Sequence, residues 1–123
     1  MNADMHDLPA PDEVDLAVEL FRMLADGTRV QILWALLDAE HSVGELAELV
    51  GKRPASVSQH LAKLRMARVV QTRRHGTTIF YRLESDHVRQ LVIDSIYHAQ
   101  HQGPGTPAHH RRDAVTELKG ASR

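Results

Sequence analysis

The spacing of apolar residues predicts two helices in the first third of the chain. Between residues 13 and 25 the apolar positions recur every three or four residues, as they do on one face of an amphipathic helix. Asp26 is a residue type that caps helix N-termini, and a second run of helically spaced apolar residues follows it. We therefore expect a second helix over residues 28–37.

Two further helices are predicted from sharper start and stop signals. Ser42 and Glu45 have the spacing of a capping box, in which each side chain bonds to the backbone amide of the other residue. The helix that they open is expected to end at Gly51, and a fourth helix to run from about residue 55 to residue 67. Pro54 suits the first turn of this helix, because an amide there has no helical partner to lose. The apolar side of the fourth helix is expected to carry Val57, Leu61 and Leu64.

The pattern then changes from helical spacing to alternation. Residues 69–74 and 77–83 are rich in β-branched and aromatic side chains and are joined by His75 and Gly76, which predicts a β-hairpin. Ser85 is a capping residue type, and a fifth helix is expected from it to about residue 100.

Two short helices with a glycine-containing turn between them, followed by a basic hairpin, are typical of a winged helix-turn-helix. The sequence therefore predicts a mainly α fold with a small β-hairpin, in the order of four helices, hairpin and fifth helix. We expect residues 1–11 to form a disordered arm and residues 12–102 to form one winged-helix domain for DNA binding and dimerisation. Residues 103–123 are expected to be a flexible tail that contains histidines.

Charge is unevenly distributed along a chain whose net charge is only −1. Residues 1–50 carry eleven acidic and two basic side chains, whereas residues 51–83 carry eight basic side chains and no acidic one. A basic segment that coincides with a helix-turn-helix and its wing favours binding to double-stranded DNA. The residues that we expect at this interface are Lys52, Arg53, Ser56, Ser58, Gln59, His60, Lys63, Arg73, Arg74, His75 and Arg82.

Composition argues against several other classes of protein. The chain has no cysteine, which excludes disulfides, thiolate metal sites and thiol redox sensing. No apolar run is long enough to span a membrane, and the first residues lack the basic and apolar regions of a signal peptide, so a cytoplasmic protein without membrane association is expected. No zinc-protease, nucleophile-elbow or phosphate-loop motif is present, so we do not expect an enzyme.

Three motifs carry a resemblance to a known family. Residues 21–30 (FRMLADGTRV), 42–47 (SVGELA) and 56–64 (SVSQHLAKL) resemble, in this order, the ArsR/SmtB family of bacterial metal-responsive repressors. The resemblance covers about residues 13–102 and implies a homodimer that binds operator DNA and is joined through its first and last helices. The apolar residues available for that interface are Leu16, Leu20, Val88, Leu91, Val92 and Ile96.

Histidines are abundant, with nine in 123 residues. His87, Asp94, His98 and His101 fall on one stripe of the predicted fifth helix, and His98 and His101 have the i, i+3 spacing at which two side chains can hold one ion. His87 precedes His98 by about 16 Å along a helix, which is too far for one ion within one helix. Antiparallel pairing of two such helices in a dimer would bring His87 of one subunit near His98 and His101 of the other.

Within the family, the segment from residue 18 to residue 112 resembles nickel and cobalt sensors. Ser85 and Gln100 stand where such sensors carry carboxylate ligands. Nitrogen and oxygen donors without thiolate favour Ni(II), Co(II) or Zn(II). The resemblance implies a repressor that nickel or cobalt, or zinc, releases from its operator, and that controls metal efflux. The implied ligands are His87, His98, His101, His109 and His110.

Two alternatives remain open. One is a winged-helix transcriptional regulator that does not respond to metal, whose histidines are surface or interface residues and whose DNA binding is indifferent to chelators. The other is a metal store or chaperone, in which the basic segment binds no DNA. The salt dependence of DNA binding separates the metal store from either kind of regulator, because release of counterions makes true DNA affinity fall steeply with salt.

Overall fold

The structure, a computed structural model, describes residues 7–102, and this part of the chain holds five helices and three short strands. It divides into two units, residues up to Ser85 and residues from Asp86 onward. The predicted tail, residues 103–123, and the first six residues of the predicted arm lie outside the described residues. In chain order the elements are α1 (Pro11–Leu24), α2 (Gly27–Ala35), β1 (His41–Ser42), α3 (Val43–Val50), α4 (Pro54–Met66), β2 (Val70–His75), β3 (Thr78–Leu83) and α5 (Asp86–His101).

Helix α1 confirms the first predicted helix but begins two residues earlier. Proline suits the first helical position, and the Glu13 carboxylate accepts a 2.9 Å hydrogen bond from the Ala10 amide, so the helix starts at Pro11. No residue of α1 is buried in the described chain, and the Leu16 side chain is 74% exposed. The apolar face of α1 is therefore open to a partner.

Helix α2 confirms the second predicted helix but ends two residues earlier than expected. Its N-terminus is capped by Asp26, whose carboxylate accepts a 3.0 Å hydrogen bond from the Arg29 amide. The helix ends at Ala35, yet Leu36 and Leu37 beyond it are buried. The apolar pattern therefore predicted burial correctly but not the end of the helix, because periodicity reports which residues face the core.

Helices α3 and α4 form the predicted helix-turn-helix. The capping box is confirmed, since the Glu45 amide donates to Ser42 Oγ at 3.2 Å and the Ser42 amide donates to the Glu45 carboxylate at 3.0 Å. Gly51 ends α3 with φ of +70°, a left-handed conformation that glycine adopts without steric cost. Pro54 then occupies the first position of α4, as predicted.

The predicted hairpin is confirmed as β2 and β3, with Val70 opposite Leu83 and His75 opposite Thr78. A third strand was not predicted. The two-residue β1 pairs antiparallel with β3, with His41 opposite Tyr81, and gives a three-stranded sheet in the order β1-β3-β2. Two residues are too few to show alternation, and one of them, Ser42, also caps α3.

The core of the first unit lies between the helices and the base of the sheet. Its apolar side chains come from α2 and the two residues after it, from α3 and α4, and from residues 69–70 where β2 begins. They hold the apolar side of α4 inward, so that its polar side remains outside. These core residues are Ile32, Leu33, Leu36, Leu37, Leu46, Ala47, Val57, Leu61, Leu64, Val69 and Val70.

The second unit, as far as it is described, is α5, and it confirms the predicted fifth helix within one residue at each end. Its side chains bond within the helix: Gln90 donates to the Asp94 carboxylate at 2.8 Å, and Ser95 donates to the Val92 carbonyl at 2.9 Å. Among the described residues, no helix combines the length and the apolar character that a membrane span requires.

Candidate nucleic-acid interface and metal centre

The polar side of α4 lies on the protein surface. Ser58, Gln59 and Lys63 are exposed and Ser56 is half-buried, because Val57, Leu61 and Leu64 occupy the opposite side of the helix in the core. A helix held by an apolar stripe, with short polar and amide side chains facing out, can enter the DNA major groove and bond to base edges. We therefore call α4 the recognition helix. The predicted residues Lys52 and Arg53 are exposed in the turn just before it.

His60 differs from the other residues expected at the interface. It is half-buried, and its Nδ1 atom lies 3.3 Å from Nη1 of Arg29. A guanidinium group only donates, so Nδ1 accepts this bond and is committed inside the protein. Arg29 also donates to the Met23 carbonyl at 2.8 Å and to the Arg22 carbonyl at 3.3 Å. Arg29 thus joins the end of α1 to the recognition helix.

The tip of the hairpin presents the basic residues that the sequence predicted for the wing. Arg74 and His75 are exposed beside Gly76, which turns the chain with φ of +65°. Of the described residues, none forms an ion pair with Arg74, whose guanidinium is therefore available to phosphates. A basic hairpin tip of this kind suits the DNA backbone or minor groove.

Arg73 and Arg82, also expected at the interface, are paired with a carboxylate that the sequence analysis missed. Glu40 Oε1 lies 2.7 Å from Arg73 Nη2, and Glu40 Oε2 lies 3.7 Å from Arg82 Nη1. The hydrogen bond from Arg73 holds the pKa of Glu40 below its ordinary value. Glu40 precedes Arg73 by 33 residues, so no local motif could have indicated the contact.

Three of the five predicted metal ligands lie on α5 and are exposed: His87, His98 and His101. His101 Nδ1 is 2.8 Å from the Tyr97 carbonyl oxygen, and the two rings lie 4.2 Å apart. Within residues 7–102, no three His, Cys, Asp or Glu side chains gather closely enough to hold an ion. The other two predicted ligands, His109 and His110, lie outside the described residues.

The residues expected at a dimer interface differ in exposure. Leu16 is 74% exposed and Leu20 is partly exposed on α1, where Val14, Val18 and Phe21 are exposed apolar residues that the sequence analysis did not assign to the interface. On α5, Val92 is 2% exposed. Partial exposure is found for the three others, Val88, Leu91 and Ile96.

Comparison with known proteins agrees with these features. Residues 26–72, which include the helix-turn-helix, match the family model described as bacterial regulatory protein, arsR family. The chain is 69% identical over 112 residues to the HTH-type transcriptional regulator KmtR of Mycobacterium tuberculosis, and the match covers 90% of this chain and 86% of KmtR. The chain belongs to the arsR family of bacterial regulatory proteins. Members of this family are transcriptional regulators, so the prediction of a regulator and not an enzyme is confirmed.

Other relatives agree in sequence and in fold. The HTH-type transcriptional repressor SmtB of M. tuberculosis is 38% identical over 92 residues, covering 74% of this chain and 68% of SmtB. The structure of HlyU from Vibrio cholerae matches with a TM-score of 0.67 and 36% identity, covering 76% of this chain and 100% of HlyU.

A solution structure from Mycobacterium bovis, described as a homodimeric winged helix-turn-helix DNA-binding domain, matches with a TM-score of 0.67 and 26% identity. It covers 81% of this chain and 98% of that domain. The predicted winged helix-turn-helix fold of this arsR-family regulator is therefore confirmed.

Proposed function

We propose that this arsR-family regulator is a homodimeric repressor that leaves its operator when a transition metal ion binds to histidines of α5. Nickel and cobalt are the proposed effectors, and zinc is the third candidate. The observation that carries the metal part of the proposal is the hydrogen bond between His101 and the Tyr97 carbonyl. The proposed site of action is the bacterial cytoplasm, and the proposed regulated function is metal efflux.

The DNA part of the proposal rests on the recognition helix and the wing. Exposed Ser58, Gln59 and Lys63 on α4 supply groups for bases and phosphates, and exposed Arg74 supplies a cation at the wing tip. A homodimer presents two such surfaces, and two recognition helices about one helical turn of DNA apart bind a pseudo-palindromic operator. The exposed apolar face of α1 is the surface that we assign to the dimer interface.

The geometry of His101 suits a metal ligand. A backbone carbonyl only accepts hydrogen bonds, so Nδ1 carries the proton, and in the neutral ring Nε2 then holds the lone pair. Metal-ligating histidines commonly donate their second ring nitrogen to a carbonyl, which fixes the tautomer and orients the ring. The contact with the Tyr97 carbonyl therefore supplies the supporting bond that a ligand at Nε2 needs.

The donor set fits Ni(II), Co(II) or Zn(II). His98 and His101 follow each other at i, i+3 on α5, and Asp94 lies on the same stripe. Imidazole and carboxylate donors without thiolate suit these ions better than soft ones such as Cu(I). His98 and His101 are the two ligands that we propose from the same α5 helix. His87 of the second subunit, with His109 and His110, is proposed to complete the set.

The set is incomplete within residues 7–102 of one chain, where no three candidate ligands gather. We therefore assign the remaining ligands to the second subunit and to the histidines beyond the described residues. A site shared between subunits links metal occupancy to the geometry of the dimer, and so to the separation of the two recognition helices. Such coupling is typically worth about 1–3 kcal/mol, or roughly 5-fold to 150-fold in affinity.

The experiment that tests this proposal is a metal titration of the protein bound to DNA. A duplex is first selected from a random-sequence pool with the chelated protein, and its affinity is measured by fluorescence anisotropy. We expect addition of Ni(II) or Co(II) to weaken binding at least about 5-fold, and EDTA to restore it. Operator affinity that is indifferent to Ni(II), Co(II) and Zn(II) would establish instead the regulator that does not respond to metal.

A further inference from the structure

Glu40, in the segment between α2 and β1, binds two arginines of the wing. Its Oε1 atom accepts a hydrogen bond from Arg73 Nε at 2.8 Å and lies 2.7 Å from Arg73 Nη2 in an ion pair. Its Oε2 atom lies 3.7 Å from Arg82 Nη1. One carboxylate therefore faces two guanidinium groups, one from each long strand of the hairpin.

Both arginines are held by further contacts as well. The Arg73 guanidinium lies 5.2 Å from the centre of the Phe80 ring. Arg82 donates to Gln71 Oε1 at 3.0 Å. Gln71 is opposite Arg82 and Phe80 is opposite Arg73 in the β2–β3 register, so these four side chains share one face of the hairpin. The guanidinium groups are thus fixed on that face, beside Glu40.

The other basic side chains of residues 51–83 differ in this respect. All eight side chains are exposed, so the difference lies in pairing: among the residues that the structure describes, none of these six forms an ion pair. The basic segment therefore contains two classes of cation, two that already face a carboxylate and six that do not. The six are Lys52, Arg53, Lys63, Arg65, Arg68 and Arg74.

We propose that Glu40 is an internal counterion that keeps Arg73 and Arg82 from DNA phosphates, and that it thereby lowers the sequence-independent affinity of the protein for DNA. Phosphate contacts are independent of sequence and supply nearly all of the non-specific affinity. Two arginines withheld from phosphates lower the affinity for every sequence, while base contacts from the recognition helix are unchanged. Because this loss is the same for every sequence, the effect of Glu40 appears in the overall affinity for DNA and in its salt dependence.

The test is the salt dependence of binding to a random-sequence duplex, measured in EDTA so that metal plays no part. In Glu40→Gln the amide keeps a hydrogen-bond acceptor for Arg73 but loses the charge. Each added phosphate contact steepens the plot of log affinity against log salt by about 0.9, so we expect a slope steeper by about 0.9 to 1.8 and tighter binding at low salt. Glu48→Gln removes the same charge from an exposed residue of α3 and is expected to leave the slope unchanged.

A double-mutant cycle with Arg73→Gln separates this role from a purely structural one. If Glu40 withholds Arg73, Arg73→Gln alone leaves the slope as it is, whereas the same change in the Glu40→Gln background makes the slope shallower by about 0.9. The proposal is overturned if Arg73→Gln alone already makes the slope shallower by that amount. It is also overturned if Glu40→Gln weakens binding or leaves the slope unchanged.

Discussion

The Nη1 atom of Arg29 lies 3.3 Å from Nδ1 of His60, and this contact joins the start of α2 to the recognition helix. The same guanidinium bonds the carbonyls of Arg22 and Met23 in the last turn of α1. Since the proposed dimer interface includes α1, Arg29 links that interface to the proposed recognition helix.

Replacement of Arg29 by Lys is therefore expected to destabilise the protein. An ammonium group can replace only part of the fork of hydrogen bonds, and the expected loss in free energy of unfolding is about 1–2 kcal/mol. Arg22→Lys is the matched control, because within residues 7–102 its side chain forms an exposed i, i+3 pair with Glu19. The control should change stability by less than about 0.5 kcal/mol. Urea unfolding at one fixed protein concentration measures both, and equal losses would contradict the role given to Arg29.

His101→Ala tests the proposed ligand directly. We expect the affinity for Co(II), measured by calorimetry, to fall at least about 10-fold. Loss of a hydrogen bond that supports a ligand typically lowers metal affinity by about 10-fold or more, and loss of the ligand itself should lower it at least as much. His75→Ala removes an exposed histidine from the wing tip and should leave Co(II) affinity unchanged. Equal Co(II) affinity in the wild type and in His101→Ala would exclude His101 as a ligand.

We expect Glu45 to make the stability of the protein sensitive to acid. The Ser42 amide and, second to it, the His41 side chain lower the pKa of Glu45 from its ordinary value of 4.5. Because the pKa of Glu45 is lower in the folded protein than in the unfolded chain, the ionised carboxylate stabilises the fold. This stabilisation is complete above pH 4.5 and is lost as the pH falls towards the pKa of the folded protein. Asp26 and Glu40, whose pKa values are also lowered, act in the same direction.

In Glu45→Gln, stability measured by urea unfolding should therefore fall less between pH 7 and pH 3.5 than it does in the wild type. Glu48→Gln, on the same helix, changes a carboxylate that none of the described residues pairs with. That variant should keep the full acid dependence of the wild type. Identical pH profiles for the two variants would show that the capping carboxylate carries no such stability.

Leu64 and Met66 lie two residues apart on α4 but differ completely in burial, at 0% and 86% exposed. Leu64→Ala should lower the free energy of unfolding by about 2–5 kcal/mol, because it leaves a cavity in the core. Met66→Ala should change it by less than about 0.5 kcal/mol. Thermal and urea unfolding check both values, and a large loss for Met66→Ala would mean that this side chain is covered by a second subunit.

Most of the fold could be predicted from the sequence, because its signals are local. Ser42 with Glu45, Asp26 and Gly51 each act on backbone groups within a few residues, and all three signals are confirmed. Strand β1 could not be predicted, since its two residues gain their strand conformation only by pairing with β3.

The candidate site was less predictable than the fold. Exposed polar positions of α4 followed from the apolar stripe that they oppose, and Ser58, Gln59 and Lys63 are exposed as expected. His60 is half-buried because of a contact with Arg29, 31 residues earlier. Contacts between residues so far apart in the sequence form only when the chain folds, and they cannot be predicted from residue type or local spacing.

In the proposed mechanism, metal on α5 and DNA on the recognition helix oppose each other through the dimer. The most direct test measures the Ni(II) dissociation constant of the protein twice, free and saturated with its selected duplex. Linkage requires that DNA weaken Ni(II) binding by the same factor by which Ni(II) weakens DNA binding, at least about 5-fold. We expect two equal factors of this size. Ni(II) affinity that is identical in the free protein and in the DNA complex would contradict this mechanism.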